Sequence, residues 1–182
     1  MDTKPRLFTS LSPALINLYD LRNAVVVIID VFRATSTIAA ALHNGAKAII
    51  PVDSVHLAIE MSKKFHCIAA GERDGVMAEG LQHGNSPMEY TSELIKNKTL
   101  VLTTTNGTRL LHLALDNGAD NIITGTFCNI SSVCDYVVKA QKNIILACAG
   151  WKDKFNLEDT LFAGAVINRV KEHFTIHCDS SL

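Results

Sequence analysis

Val25-Val26-Val27-Ile28-Ile29-Asp30-Val31-Phe32-Arg33-Ala34-Thr35-Ser36-Thr37 decides how this chain is read. Five β-branched residues without a polar break predict a strand covered on both faces, and Ile38 to Leu42, set among alanines, reads as helix. Asp30 and Arg33 therefore fall where a strand gives way to a helix, with three hydroxyls just beyond. In open α/β sheets ligands bind outside the carboxyl ends of strands, where helix N-termini present unpaired N–H groups and a positive dipole end to anions.

Working outward, short apolar runs recur at Ala48 to Val52, Cys67 to Ala70, Leu100 to Thr104, Asn121 to Thr124, Ile144 to Cys148 and Phe174 to Cys178. Helical spacing separates several of them. Val55, Ala58, Ile59 and Ser62 follow the cap candidates Asp53 and Ser54; Leu110, Leu113 and Ala114 follow Asn106; Leu161, Phe162, Ala165 and Val166 follow Asn156. Alternating strands and helices predict an α/β fold, a layered architecture with a largely parallel or mixed sheet and helices on its faces. No linker, repeat or low-complexity tract divides the 182 residues, so one domain over 1–182 is expected. Gly71 to Ser86 is the one long irregular stretch, and such a loop is commonly functional.

At 48% hydrophobic and 19% charged residues the chain can bury a core, and its net charge of −1 gives no reason to expect nucleic acid as partner. No apolar run is long enough to span a membrane, and the N-terminal Met1 to Arg6 lacks the apolar core of a signal peptide. A cytoplasmic protein is expected. Five cysteines without a Cys-x-x-Cys pair suggest neither a disulfide framework nor a zinc ribbon.

Arg33, Arg73 and Arg109 are three of the six arginines, and each falls in a polar motif between predicted elements. Guanidinium suits phosphate, carboxylate and sulfonate better than a lysine's point charge, so the placement suggests a small ligand with several anionic groups. Asp30 could hold a hard cation such as Mg²⁺ while Arg33 neutralises phosphate; alternatively the two form an internal ion pair, with Thr35 or Ser36 capping the helix. Gly71-Glu72-Arg73-Asp74-Gly75 offers Glu72 and Asp74 as metal ligands or acid/base groups. Ser86-Pro87-Met88-Glu89 spells a capping box. Thr103-Thr104-Thr105-Asn106-Gly107-Thr108-Arg109 could ring a phosphate, although Asn-Gly alone is an ordinary turn. Glu158 and Asp159 suit the first turn of a helix on dipole grounds alone, or could complete a metal site. His66-Cys67 with Arg73 also matches the His-Cys-x5-Arg spacing of cysteine-dependent phosphatases, in which a thiolate attacks phosphorus. A strand reading for Cys67 to Ala70 and an anion at Glu72 argue against it.

Taken together, Val27 to Thr37, Gly71-Glu72-Arg73, Gly84-Asn85-Ser86-Pro87, Thr104 to Arg109, and Glu158-Asp159-Thr160 with Ala163-Gly164 resemble the 2-phosphosulfolactate phosphatase (ComB) family. The resemblance covers the chain from about Val25 onward. It implies a Mg²⁺-dependent phosphomonoesterase acting on a small anionic phosphorylated 2-hydroxy acid, in the family's best-known role phosphosulfolactate on the way to coenzyme M. On that reading Asp30, Arg33 and Glu72 are catalytic, and Mg²⁺ is held by Asp30 with some of Glu72, Glu158 and Asp159. Thr35, Ser36, Arg73, Asn85, Ser86, Asn106, Gly107, Thr108 and Arg109 would contact substrate. Two departures stand out. Glu79-Gly80-Leu81-Gln82-His83 replaces the Phe-Asp-Leu common after the glycine, and the sequence ends at Leu182 where the family pattern continues. If that segment helps close the site, a binding protein without turnover is the alternative expectation, and the apolar face left bare would favour a homodimer.

Overall fold

The structure, a computed structural model, describes residues 4–182; Met1 to Thr3, part of the stretch read for a leader, lie outside the described residues. Among the described residues nine strands, numbered β1 to β9, give the expected α/β architecture with helices on parallel and mixed sheets, the strands being divided between two sheets. The first has the order β7-β2-β8-β1-β9, with β1 (Arg6–Ser10), β2 (Ala24–Ile29), β7 (Asn121–Gly125), β8 (Asn143–Cys148) and β9 (Thr175–Ile176) all parallel. The second has the order β3-β6-β4-β5. There β3 (Ala48–Pro51), β6 (Thr99–Thr103) and β4 (Ile68–Arg73) run parallel, and β5 (Val76–Met77) returns antiparallel.

Central strand β2 is buried at all six positions. Val25, Val27 and Ile29 pack with helices α5 (Ile130–Ala140) and α6 (Leu157–Val170), while Ala24, Val26 and Ile28 pack with α4 (Gly107–Asp116) and the 3-10 turn Pro13–Leu18. Alternate residues thus bury opposite faces, as strand pleating requires. Each fully buried Val or Ile contributes roughly 1.5–3 kcal/mol. That is of the same size as the ~1–2 kcal/mol per residue needed to order the backbone, so burial on both faces offsets the cost of forming this strand. In the second sheet, Leu100 and Leu102 of β6 pack with Ala41 of α1 (Ala34–His43) and with Ile95 of α3 (Ser92–Ile95), whereas Val101 packs with Ala58 of α2 (Val55–Phe65).

Three expectations change. The irregular stretch from Gly71 is partly a hairpin: Glu72 pairs with Met77 and Arg73 with Val76 around Asp74 and Gly75, both at positive φ (50° and 82°). Asp-Gly is the sequence signature of that two-residue turn. The Ser86 capping box does not form, since Ser86 makes no cap bond and the Glu89 carboxylate instead accepts from Gly84 N–H at 2.9 Å. Cys67 lies just before β4 and Arg73 at its far end. Six extended residues separate them by about 20 Å, which rules out a shared phosphate cradle.

Candidate active site

The carboxyl ends of both sheets converge on Asp30. It follows β2 in a turn whose Phe32–Arg33 peptide is cis, and its Oδ1 accepts the Ala34 N–H at 3.3 Å while its carbonyl takes Thr35 N–H at 2.9 Å. Asp30 therefore occupies the N-terminus of α1 itself. An anion expected at that helix end finds its donors already spent. Burial pushes the Asp30 carboxyl up to about 7, the Asp159 and Glu72 carboxylates add to the shift, and the Ala34 N–H opposes it.

Asp159, in the first turn of α6, is fully buried; its Oδ1 accepts from Val31 N–H at 2.8 Å and its Oδ2 from Gly150 N–H at 3.1 Å. It ties the ends of β2 and β8 together. Burial raises its pKa against those hydrogen bonds. Glu72, the penultimate residue of β4, is buried and accepts from Gly75 N–H at 2.7 Å, from Thr105 N–H at 2.6 Å and from the Thr105 hydroxyl at 3.1 Å. Glu158 is half-buried beside Asp159 and adds to its shift.

Opposite Asp30 stands the first turn of α4. A Cβ added at Gly107 would lie 2.8 Å from Asp30 Oδ2 and 3.0 Å from the Ala34 Cβ, so only glycine lets this helix end approach so closely. Its first-turn N–H groups lack helical partners, and Asn106 caps α4 without a side-chain bond. Thr108 and Thr104 lock the turn: the Thr108 hydroxyl donates to Thr104 C=O at 2.7 Å and Thr108 N–H donates to the Thr104 hydroxyl at 3.2 Å. Of the two helix ends at Asp30, that of α4 is the less occupied by side-chain acceptors.

Arg33 donates to Gly75 C=O at 2.6 Å. Arg73 donates to Glu72 C=O at 2.6 Å, to the Thr103 hydroxyl at 2.9 Å and to Asp53 C=O at 3.3 Å. Neither makes an ion pair among the described residues, so both keep their charge for a ligand, and the internal Asp30–Arg33 pair does not form. Arg109 instead pairs with Asp153 at 2.6 Å at the surface. Thr35 and Ser36, expected to contact substrate, spend their hydroxyls on the turn: Thr35 donates to Asp30 C=O at 2.8 Å and Ser36 to Val31 C=O at 2.7 Å. Asn85 is buried with its Oδ1 unpaired, and Ser86 is half-buried beside it. Asp74 lies exposed in the hairpin turn, paired with Lys152 at 2.9 Å.

Asp53 and His112 meet across the mouth of a polar pocket. In the sequence Asp53 reads only as a helix cap and His112 belongs to no motif. His112 lies one helical turn beyond Arg109, and that spacing is the signal that marks it.

Among the described residues no three His, Cys, Asp or Glu side chains converge into a ready-made metal cage. The charge pattern nevertheless fits a divalent cation. The Asp159 and Glu72 carboxylates both disfavour charge on the buried Asp30, and the opposing contacts are backbone N–H groups of Ala34 and Arg33 rather than a basic side chain. Mg²⁺ commonly binds through one or two carboxylates together with water and substrate phosphate, and Asp30 with Glu72 suits that mode.

This is an α/β protein in which a buried acid, Asp30, faces a helix N-terminus and two arginines free of ion pairs among the described residues stand nearby, a combination with anion-binding character. The family model described as 2-phosphosulpholactate phosphatase matches residues 10–182, and the chain belongs to that family. It is 45% identical over 159 residues to a protein of Caldanaerobacter subterraneus subsp. tengcongensis described as a "probable 2-phosphosulfolactate phosphatase", covering 86% of this chain and 65% of that one. A Thermotoga maritima protein of the same description is 46% identical over 154 residues, covering 85% of this chain and 65% of that one. The chain thus spans about 65% of the length of these relatives. No helix among the described residues is long and apolar enough to cross a membrane.

Proposed function

We propose that this chain hydrolyses the phosphomonoester of a 2-hydroxy acid, with 2-phosphosulfolactate as substrate and sulfolactate and inorganic phosphate as products. The observation that carries the reading is Asp30, a buried carboxyl held near neutrality, set against the open first turn of α4. Family membership and the names of the relatives support the same chemistry.

In this reading the N–H groups at Asn106 and Gly107 receive the phosphate oxygens, and Arg33 neutralises them from the other side. As a carboxylate Asp30 can take a proton from an attacking water or attack phosphorus itself. Glu72 orders the hairpin and Thr105 around the phosphate. Asp159 fixes the strand ends that aim Asp30. Asp30 and Glu72, with Glu158 and Asp159 behind them, would hold Mg²⁺, which would supply positive charge to a phosphoryl group.

The test is phosphate release from phosphosulfolactate and related 2-phospho-hydroxy acids, with Mg²⁺ and then with excess EDTA. Release abolished by EDTA and restored by Mg²⁺ is expected. No release from any ester would refute the function, and release indifferent to EDTA would refute the metal.

A further inference from the structure

A cavity of about 390 Å³ opens along the outer side of α4, between that helix, the end of β4 and the β3–α2 connection. Arg73, Arg109 and His112 line it together with Asp53, Asp116 and Thr105. It is separate from the apolar cavity of about 250 Å³ on the other side of α4, which Ile38, Leu42, Ile49 and Leu111 enclose.

Asp53 has its carboxylate against His112 Nδ1, a close contact rather than an aligned hydrogen bond, and Nδ1 is closed off from solvent. Nε2 is then the ring nitrogen left to meet a ligand. Asp53 also receives Arg73 on its backbone carbonyl, so one residue sets the position of both cationic side chains. Arg73 is fixed by two carbonyls and a hydroxyl, all uncharged, and retains donors and full charge. Arg109 is held at the rim by Asp153, both partners being roughly half exposed. An exposed pair of that kind is weak, so an incoming anion can displace Asp153.

We propose that this cavity is an oxyanion-binding site, in which Arg73 and His112 grip a sulfonate or phosphate group and Arg109 closes over it. His112 presents Nε2 to the anion, and a proton carried there is donated beside the Arg73 guanidinium, which makes His112 a specificity-determining residue for tetrahedral oxyanions. The occupant is either the non-reacting sulfonate of the substrate or a free oxyanion. The first alternative rests on the proposed function, and the second does not.

Calorimetric titration of the whole chain with inorganic phosphate and with sulfolactate, for wild type and His112→Ala, tests the site. A charge-assisted hydrogen bond lost to truncation is expected to weaken at least one of these ligands tenfold or more. His112→Gln, which keeps one donor, is expected to recover part of the loss. Kinetics then separate the sources. A tenfold rise in KM for phosphosulfolactate at constant kcat, with 2-phospholactate unaffected, assigns the site to the substrate's sulfonate. Weaker phosphate binding with both KM values unchanged assigns it to a free oxyanion. The proposal is overturned if wild type binds neither ligand, if His112→Ala leaves both affinities intact, or if it lowers kcat equally for every ester. Wild type that releases no phosphate but binds oxyanions through His112 would refute the phosphatase and leave this site standing.

Discussion

Replacing Asp30 by asparagine is expected to remove turnover and, above neutral pH, to make the protein more stable. Asp30 titrates near 7 in the folded chain against an ordinary value of 3.8, so across that window the folded state holds a proton the unfolded state has released. Each pH unit there lowers the unfolding free energy by ~1.4 kcal/mol. The stabilisation is complete below the unfolded value and is lost as pH rises through 7, a total of about 4 kcal/mol over the interval. The asparagine side chain would keep an oxygen acceptor for the Ala34 N–H, now 3.3 Å from Asp30 Oδ1, and would carry no charge to desolvate. Urea unfolding without divalent cations, at pH 4 and pH 8, measures the difference between variant and wild type. Near-equality at pH 4 and an advantage to Asp30→Asn approaching 4 kcal/mol at pH 8 are expected, the latter figure being approximate, ~4 kcal/mol. A gap that does not change with pH, or a variant less stable at pH 8, would refute the account of Asp30 as a buried acid crowded by Asp159 and Glu72.

Asp159→Asn leaves the N–H of Val31 or of Gly150 without its carboxylate acceptor, at a cost of ~1–3 kcal/mol. At pH 5, where Asp30 is neutral, this appears as a Tm lower by roughly 3–10 °C, and an unchanged Tm would show that Asp159 does not tie the strands. Gly107→Ala places a methyl 2.8 Å from Asp30 Oδ2. It is expected to cost ~1–3 kcal/mol in urea unfolding and to weaken phosphate binding in the same preparation; full affinity would mean that α4 does not face the phosphate. Cys67→Ser is expected to retain phosphate release, because Cys67 precedes β4 and lies far from Arg73; loss of release would bring thiol chemistry back.

Much of this is legible in Val25 to Thr37. An unbroken β-branched run followed by Asp30 and Arg33 identifies a two-faced strand and the turn that ends it, because burial on both faces leaves no polar position to obscure the pattern. Thr103 to Arg109 is legible as a strand end passing into a helix because the buried apolar run of β6 stops there. Strand β1 is not: Arg6-Leu7-Phe8-Thr9-Ser10 is short and mixed, and gains its strand character from pairing with β8 and β9. Helix α5 carries a helical spacing in Ile130, Val133, Cys134 and Val137, but the apolar strand runs on either side of it dominate the local pattern. The hydroxyls of Thr35 and Ser36 show what sequence does not separate, since the same residue types that bind phosphate also lock a turn. His112 stays hidden because its partner Asp53 is 59 residues away and only the fold joins them.

The loop from Gly150 to Asn156 reaches across the cleft by two contacts, Lys152 to Asp74 on the hairpin and Asp153 to Arg109 on α4. Both are surface ion pairs, worth together no more than ~2 kcal/mol, equivalent to a ratio of about 30 between latched and unlatched forms. Thermal motion alone then leaves the rim free at least a few per cent of the time, and a small anion can enter that form without either sheet shifting. Dissolved salt competes for the same four side chains, so the traffic through this opening is set by the ionic surroundings as much as by the protein.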